Sequence, residues 1–126
     1  MTRTIPKMMV IDGQATLREE IRLALKREGY EVETFRGGAS ALNRMKRKQF
    51  NVVITDLRMH GTDGIEVLRT VKSLYPETSV IIITAYASLG VVTDALREGV
   101  HDFFTKPIRI NELKASILRA LPGQNA

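Results

Sequence analysis

A fivefold alternation of short apolar runs with amphipathic segments is the feature that most limits how this chain folds. Apolar residues dominate Met8–Ile11, Val52–Thr55 and Val80–Thr84, and such runs are typical of strands buried on both faces of a parallel sheet. In the segments between them, apolar residues recur every three or four positions, as on the buried face of a helix. With right-handed crossovers, this order predicts one α/β domain built on a doubly wound, five-stranded parallel sheet.

Weaker signals complete the pattern. Two more strands are predicted over residues 30–35 and 102–105, and the apolar residues of five helices fall within residues 17–25, 39–45, 65–71, 91–96 and 110–121. Asp63 is expected to cap the third helix, with Glu66 three residues on, as in a capping box. Asn111 is expected to cap the fifth helix. The apolar residues of the fourth helix are Val91, Val92, Ala95 and Leu96.

Composition limits the class of protein. A length of 126 residues suits a single domain, so residues 1–121 are taken as the domain and residues 122–126 as a tail or the start of a linker. The sequence has no cysteine, which excludes disulfides, thiol catalysis and cysteine-based metal sites. The apolar run Val80–Ile83 is far too short to cross a bilayer, and the N-terminus lacks a hydrophobic signal core. A cytoplasmic protein without a membrane partner is expected.

The net charge of +5 raises the question of an anionic partner. Basic residues are dense in the first part of the chain, but glutamates are interleaved with them. This pattern favours solvated helix faces with mixed charge pairs. The sequence carries no zinc-ligand spacing and no glycine–aromatic RNA signature. Nucleic-acid binding by this domain itself is therefore not expected.

Four polar residues stand where predicted strands end. The first, third, fourth and fifth predicted strands end in Asp12, Asp56, Thr84 and Lys106. The carboxyl ends of parallel strands meet at one edge of the sheet, where ligands of such folds bind. A carboxylate nucleophile, a second carboxylate, a hydroxyl and an ammonium are together suited to forming and sensing an acyl phosphate. Mg²⁺ is typically held by one or two carboxylates together with phosphate and water.

The motifs VIDGQATLRE, VVITDLRMHGTDGIEVL, VIIITAYAS and HDFFTKPI resemble the receiver domains of two-component response regulators, and most closely those of the nitrogen-regulator type. The resemblance covers almost the whole chain and implies a flavodoxin-like (βα)5 fold. It implies that Asp56 is the phosphoacceptor of a histidine kinase or phosphotransfer protein. It further implies that Mg²⁺ is bound by Asp12, Asp56 and the backbone carbonyl of Arg58.

The same resemblance assigns the remaining site residues. Thr84 and Lys106 match the switch hydroxyl and the lysine of the family. Phe103 falls where the family places an aromatic side chain that turns inward on activation. The Lys106–Pro107 bond is expected to be cis, a form that only proline makes inexpensive.

Gly13 departs from the family, which has a second acid at this position that usually ligates the metal directly. Losing a full negative charge beside a divalent ion predicts weakened Mg²⁺ binding. Glycine leaves Asp12 room to turn inward. Gln14 offers a neutral oxygen, but no spacing rule places it.

Partners follow from the resemblance. A homodimer through the face made by the fourth helix, fifth strand and fifth helix is one expectation, and a C-terminal output domain is another. The domain is expected to assist its own phosphorylation and dephosphorylation without being a turnover enzyme. The alternative is a phosphorylation-independent pseudo-receiver that acts as a protein-interaction module, with Gly13 as its direct support. An aspartyl phosphatase would need an acid two residues after Asp56, where Arg58 stands, and a flavin protein would need a phosphate-binding loop after the first strand.

Overall fold

Ten elements alternate along the chain in the predicted order. The computed structural model describes residues 4–59 and 61–122, so residues 123–126 of the predicted tail lie outside the described part. The strands are β1 (Lys7–Ile11), β2 (Glu31–Phe35), β3 (Val52–Asp56), β4 (Ser79–Thr84) and β5 (Asp102–Thr105). The helices are α1 (Ala15–Arg27), α2 (Gly38–Met45), α3 (Gly64–Leu74), α4 (Leu89–Arg97) and α5 (Ile110–Ala120).

The five strands form one parallel sheet in the order β2-β1-β3-β4-β5. This order confirms the doubly wound α/β fold. The chain reverses its direction of travel across the sheet between β1 and β3, and this switch point opens a crevice at the carboxyl ends of the two strands. In the register of the sheet, Asp56 lies opposite Ile83, and Thr84 lies opposite Thr105. The predicted polar edge is therefore built by the pairing of the strands.

Alternating side chains of the sheet enter two separate apolar layers. One layer joins the sheet to α2, α3 and α4, and the other joins it to α1 and α5. Neighbouring residues of one strand divide between the layers: Met9 and Ile11 enter the first, and Met8 and Val10 enter the second. All four are fully buried. Burial of both faces explains why these strands are almost continuously apolar. Among the described residues, no helix is both long and apolar enough to cross a bilayer.

The expected caps agree with the structure at α3 and differ from it at α5. The Asp63 carboxylate accepts a hydrogen bond from the backbone N–H of Glu66 at 2.9 Å, which confirms the predicted start of α3. The prediction for Asn111 is wrong, because α5 begins at Ile110 with Arg109 in the cap position and no side-chain cap bond. Ile110 packs against the apolar layer, so packing rather than capping fixes where this helix starts.

Leu96 belongs to the apolar pattern of α4 but lies outside the core. Its side chain is 65% exposed, whereas Ala95 is fully buried and Val91 packs against the core. Residues four apart lie on one helix face, and the next residue is turned about 100° away from that face. The contact between α4 and the sheet is narrow, so a small Ala–Val stripe covers it and Leu96 is left in solvent.

Gly64 allows α3 to approach the end of β3. A Cβ atom placed there would lie 2.6 Å from the backbone oxygen of Asp56 and 2.9 Å from Cα of Leu57. The Gly64 N–H also donates to the Leu57 carbonyl at 2.8 Å. The first turn of α3 is thereby held against the backbone that carries Asp56.

We expect Gly64→Ala to lower the free energy of unfolding by about 1–3 kcal/mol, since backbone must move to admit the methyl group. Gly90→Ala is the matched control: it lies in α4 with open space around it and should stabilise the protein by about 0.5 kcal/mol through helix propensity. Urea denaturation measures both. Equal effects of the two substitutions would refute the close approach at Gly64.

A charged cluster ties the edge strand β2 to the end of α2. The Glu33 carboxylate accepts hydrogen bonds from Arg44 at 2.8 and 3.1 Å and from Lys48 at 2.7 Å. The Arg44 hydrogen bond is the main cause that lowers the pKa of Glu33 from 4.5 to about 2; burial opposes this, and Lys48 adds to it.

Because the pKa of Glu33 is lower in the folded state, its stabilisation is present above about pH 4.5 and is lost as the pH falls towards about 2. We expect Glu33→Gln to cost about 1 kcal/mol at neutral pH, a value reduced for the partial exposure of the pair. The difference from wild type should vanish in acid, as urea denaturation over a pH series would show. Glu20→Gln, at an exposed position on α1 without an ion pair among residues 4–59 and 61–122, should show no such pH-dependent difference.

Candidate functional site

The polar edge of the sheet is organised around the ammonium group of Lys106. Its Nζ lies 3.0 Å from Oδ2 of Asp56 and 3.0 Å from Oδ2 of Asp12, and it donates to Oε1 of Gln14 at 2.8 Å. Burial lowers the pKa of Lys106, but the hydrogen bond to Asp56 and the nearness of both carboxylates outweigh burial and raise it above 10.5. The ammonium therefore stays charged at neutral pH and joins three of the chain segments that meet at the site.

Asp12 is the innermost group of the site and is fully buried. Its Oδ1 accepts the backbone N–H of Gln14 at 2.8 Å, and its backbone carbonyl accepts the guanidinium of Arg18 at 2.6 Å. Its Oδ2 faces Lys106 as an ion pair, but the approach lacks the direction of a hydrogen bond. Among the described residues, Asp12 Oδ2 is a buried side-chain oxygen without a hydrogen-bond donor. A carboxylate oxygen has two lone pairs, so Asp12 Oδ2 can face Lys106 and still accept a further ligand.

Asp56 is reachable from solvent although its residue is only 9% exposed. Its Oδ1 lies 3.4 Å from the backbone N–H of Arg58, and its Oδ2 accepts from Lys106 at 3.0 Å. An open cleft of about 480 Å³ lies beside the carboxylate, and it is lined also by Gly13, Gln14, Arg36, Gly37, Arg58 and Met59. A carboxylate with one hydrogen-bonded oxygen at an open cleft is placed to act as a nucleophile.

Two loops carry the other side of the site. Thr84 is fully buried, and its Oγ1 accepts the backbone N–H of Tyr86 at 3.1 Å. The guanidinium of Arg58, from the loop after β3, stacks 4.7 Å from the centroid of the Tyr86 ring. The Thr84 carbonyl also accepts the backbone N–H of Lys106 at 2.8 Å. The loops after β3, β4 and β5 are thus linked around Asp56.

Two further residues of the predicted set lie next to this edge. The Lys106–Pro107 bond is cis in the structure. Phe103 is partly buried on β5 and packs against the apolar layer of α2, α3 and α4. The structure therefore brings Asp12, Asp56, Thr84 and Lys106 to one edge, with Phe103 in the adjoining core.

The donor set fits a divalent cation with fewer acids than such an ion commonly has. No cluster of three or more histidine, cysteine or acidic side chains occurs in the described ranges. The oxygens that would hold Mg²⁺ are Asp12 Oδ2, the Asp56 carboxylate and the backbone carbonyl of Arg58. Mg²⁺ takes one or two carboxylates and keeps several waters.

Gly13 is not imposed by the backbone. Its φ is not positive, and an added Cβ would meet only the Arg36 carbonyl, at an ordinary contact distance of 3.9 Å. A side chain at position 13 would therefore fit. The glycine removes a charge from the cleft without a conformational reason.

The sequence does not indicate how three residues contribute to the site. Gln14 contacts Lys106 across 92 positions of the chain, which no local pattern indicates. Arg18 holds the backbone at Asp12, and no motif marks this contact. Gly64 follows the capping residue Asp63, and this position was the one available signal for its close approach to Asp56.

Comparison with known proteins agrees with this geometry. The sequence model of the family described as "Response regulator receiver domain" matches residues 8–118. NtrC of Escherichia coli, a DNA-binding transcriptional regulator, is 34% identical over 112 residues, which are 89% of this chain and 24% of that protein. ZraR of Klebsiella oxytoca, a transcriptional regulatory protein, is 32% identical over 114 residues, 90% of this chain and 26% of that protein. The chain spans about a quarter of the length of these relatives.

Solved structures show the same fold. A CheY-like receiver domain protein of Methanospirillum hungatei superposes with a TM-score of 0.92 at 25% identity, covering 97% of this chain and 98% of that one. The flavodoxin-like (βα)5 architecture is thereby confirmed. The match over residues 8–118, together with relatives above 30% identity, shows that the chain belongs to the receiver domain family of two-component response regulators.

Proposed function

We propose that Asp56 accepts a phosphoryl group from a phosphohistidine of a histidine kinase or phosphotransfer protein, and that the modification changes a protein-interaction face. The observation that carries the proposal is the setting of the Asp56 carboxylate. It ends a buried strand, lies at an open cleft and shares one oxygen with the charged Lys106. The other oxygen is free to attack, apart from a long contact of 3.4 Å to the Arg58 N–H.

The transfer follows from the groups present. A carboxylate oxygen of Asp56 attacks phosphorus, the new O–P bond forms, and the bond from phosphorus to the imidazole nitrogen breaks. The leaving imidazole takes up a proton. Lys106 stays protonated and offsets negative charge that gathers on the phosphoryl oxygens. Asp12, Asp56 and the Arg58 carbonyl would hold Mg²⁺, which when bound adds further charge neutralisation at those oxygens.

The readout of phosphorylation starts at Thr84. Its hydroxyl now accepts from the Tyr86 N–H, so turning towards a phosphoryl oxygen would release that bond and loosen the loop after β4. Phe103, which packs against the core, would then turn inward to fill the space that Thr84 leaves. A local charge change would thus bias a two-state element.

Incubation with acetyl phosphate and Mg²⁺, followed by intact-mass analysis, tests this function. We expect one added phosphoryl group on the wild type and on Asp94→Asn, an exposed aspartate of α4, and none on Asp56→Asn. Absence of modification on the wild type over a full range of Mg²⁺ would contradict the proposal and favour a phosphorylation-independent interaction module.

The Arg58 guanidinium stacks 4.7 Å from the centroid of the Tyr86 ring, and we infer that this pair hinders the approach of water to phosphorylated Asp56. We expect slow self-dephosphorylation, with loss of the label over minutes rather than seconds. Tyr86→Ala should speed the loss about fivefold, because a cation–π contact contributes about 1 kcal/mol and 1.36 kcal/mol in a barrier is tenfold in rate. Tyr75→Phe, far from the site and bonded to the Met45 carbonyl, should leave the rate unchanged. An unaltered rate in Tyr86→Ala would exclude the stack as a barrier to water.

An interaction face made by α4, β5 and α5 is part of the proposal. Leu89 and Leu96 on α4 are 84% and 65% exposed, and Tyr86 before it is 59% exposed. Large apolar side chains clustered in solvent mark contact surfaces. The surface lies next to the loop that Thr84 would release, so a second copy of this chain or an attached output domain would respond there to phosphorylation.

A further inference from the structure

Gln14 makes two contacts that involve the acids of the site. Its side-chain Oε1 accepts from the Lys106 ammonium at 2.8 Å, and its backbone N–H donates to Asp12 Oδ1 at 2.8 Å. One residue therefore fixes both the innermost carboxylate and the cation that faces it.

The contact between Gln14 Oε1 and Lys106 Nζ bears on where the ammonium lies. Lys106 has three N–H donors, and it makes directed hydrogen bonds to Gln14 and to Asp56. Its approach to Asp12 Oδ2 is as short, at 3.0 Å, but is not directed as a hydrogen bond. The amide oxygen of Gln14 thus takes one of the three N–H donors of Lys106, and the ammonium stays 3.0 Å from an oxygen of each carboxylate.

This arrangement compensates for the glycine at position 13. With Asp12 and Asp56 as the two acids beside the ammonium, an unrestrained lysine would settle on the fully buried Asp12, where attraction is strongest because solvent screening is weakest. Lys106 would then be drawn away from Asp56.

We propose that Gln14 is a positioning residue that holds Lys106 against Asp56, in place of the side chain that Gly13 lacks. The role rests on the proposed phosphorylation of Asp56. Gln14 acts through Lys106 and takes no part in bond making. Its neutral amide suits this task, because it accepts a hydrogen bond without adding charge to the cleft.

The test compares Gln14→Met, which keeps length but removes the acceptor, with Gln14→Glu, which restores an acceptor. Gln49→Met is the control, since that glutamine bonds Glu77 away from the site. The first readout is proton exchange between water and the Lys106 ammonium, followed by NMR in unphosphorylated, metal-free protein and assigned by its loss in Lys106→Met. The second readout is the rate of Asp56 phosphorylation by acetyl phosphate with Mg²⁺.

We expect exchange to be about fivefold faster in Gln14→Met, as for one lost hydrogen bond, and phosphorylation to be about tenfold slower from lost orientation. Gln14→Glu should restore most of both, and Gln49→Met should change neither. Unchanged exchange in Gln14→Met would overturn the inference. Faster exchange with unchanged phosphorylation would also overturn it, while leaving the proposed function intact. A wild type that takes no phosphoryl group would overturn the proposed function and, with it, the role of Gln14 in phosphorylation. The exchange rates in unphosphorylated protein would still show separately whether Gln14 holds Lys106.

Discussion

Replacing Lys106 by methionine is expected to lower the free energy of unfolding by about 3 kcal/mol in metal-free buffer. Its ammonium lies 3.0 Å from Oδ2 of both Asp12 and Asp56, and the side chain of Asp12 is fully buried. Removing the cation leaves two facing carboxylates without a counter-charge, and breaking a buried pair in this way commonly costs several kcal/mol. Urea denaturation in the presence of a chelator measures the loss.

A divalent cation should reverse part of the loss in Lys106→Met. Any ligand that binds only the folded state stabilises it by mass action, and Mg²⁺ would neutralise the acids that lysine no longer faces. Lys114→Met is the matched control, because Lys114 makes a part-exposed pair with Glu28 at 3.6 Å and should change stability by less than about 1 kcal/mol. Similar losses in both variants, with no response to Mg²⁺, would contradict the charge balance described for the site.

Restoring an acid at position 13 is expected to tighten Mg²⁺ binding by about 100-fold. A carboxylate near a divalent ion contributes several kcal/mol before desolvation and rearrangement are subtracted, and each 1.4 kcal/mol that remains is tenfold in affinity. Gly13→Asp fits the backbone, since φ is not positive and the nearest contact of a Cβ would be 3.9 Å. Titration calorimetry, which needs no phosphorylation, measures the change.

The stability of Gly13→Asp should change sign with the metal. In chelator, a third carboxylate beside Asp12 and Asp56 should destabilise the fold by charge repulsion, and in saturating Mg²⁺ the same variant should exceed the wild type. Gly37→Asp adds an acid elsewhere on the same cleft, also without a steric clash, and should alter affinity less than fivefold, since a more distant charge is screened. Equal Mg²⁺ affinity in wild type and Gly13→Asp would place the cation elsewhere or exclude it.

The fold was predictable because burial on both faces leaves a strong trace in the sequence. The apolar runs that become β1, β3 and β4 are nearly uninterrupted, and parallel pairing then brings Asp12, Asp56, Thr84 and Lys106 to one edge. The prediction of these four positions needed only the ends of the predicted strands. Asp56 and Thr84 are the last residues of β3 and β4, and Asp12 and Lys106 come directly after β1 and β5.

The features that the sequence did not indicate depend on the distances between elements. Leu96 belongs to an apolar helical pattern, but the narrow contact of α4 with the sheet leaves it exposed. Asn111 is a good capping residue, yet the packing of Ile110 starts α5 two residues earlier than a cap at Asn111 would. Gln14 reaches Lys106 only because the loops after β1 and β5 meet in space. None of these outcomes follows from local propensity.

The central claim is that Asp56 takes a phosphoryl group although one acid of the usual set is missing. NMR of the protein with beryllium trifluoride, a mimic of that group, tests it most directly, with Mg²⁺ present and absent. We predict a bound fluoride signal that requires Mg²⁺ and is absent in Asp56→Asn, with backbone shifts at Thr84 and Phe103. No bound fluoride at saturating Mg²⁺, with those resonances unmoved, would contradict the claim.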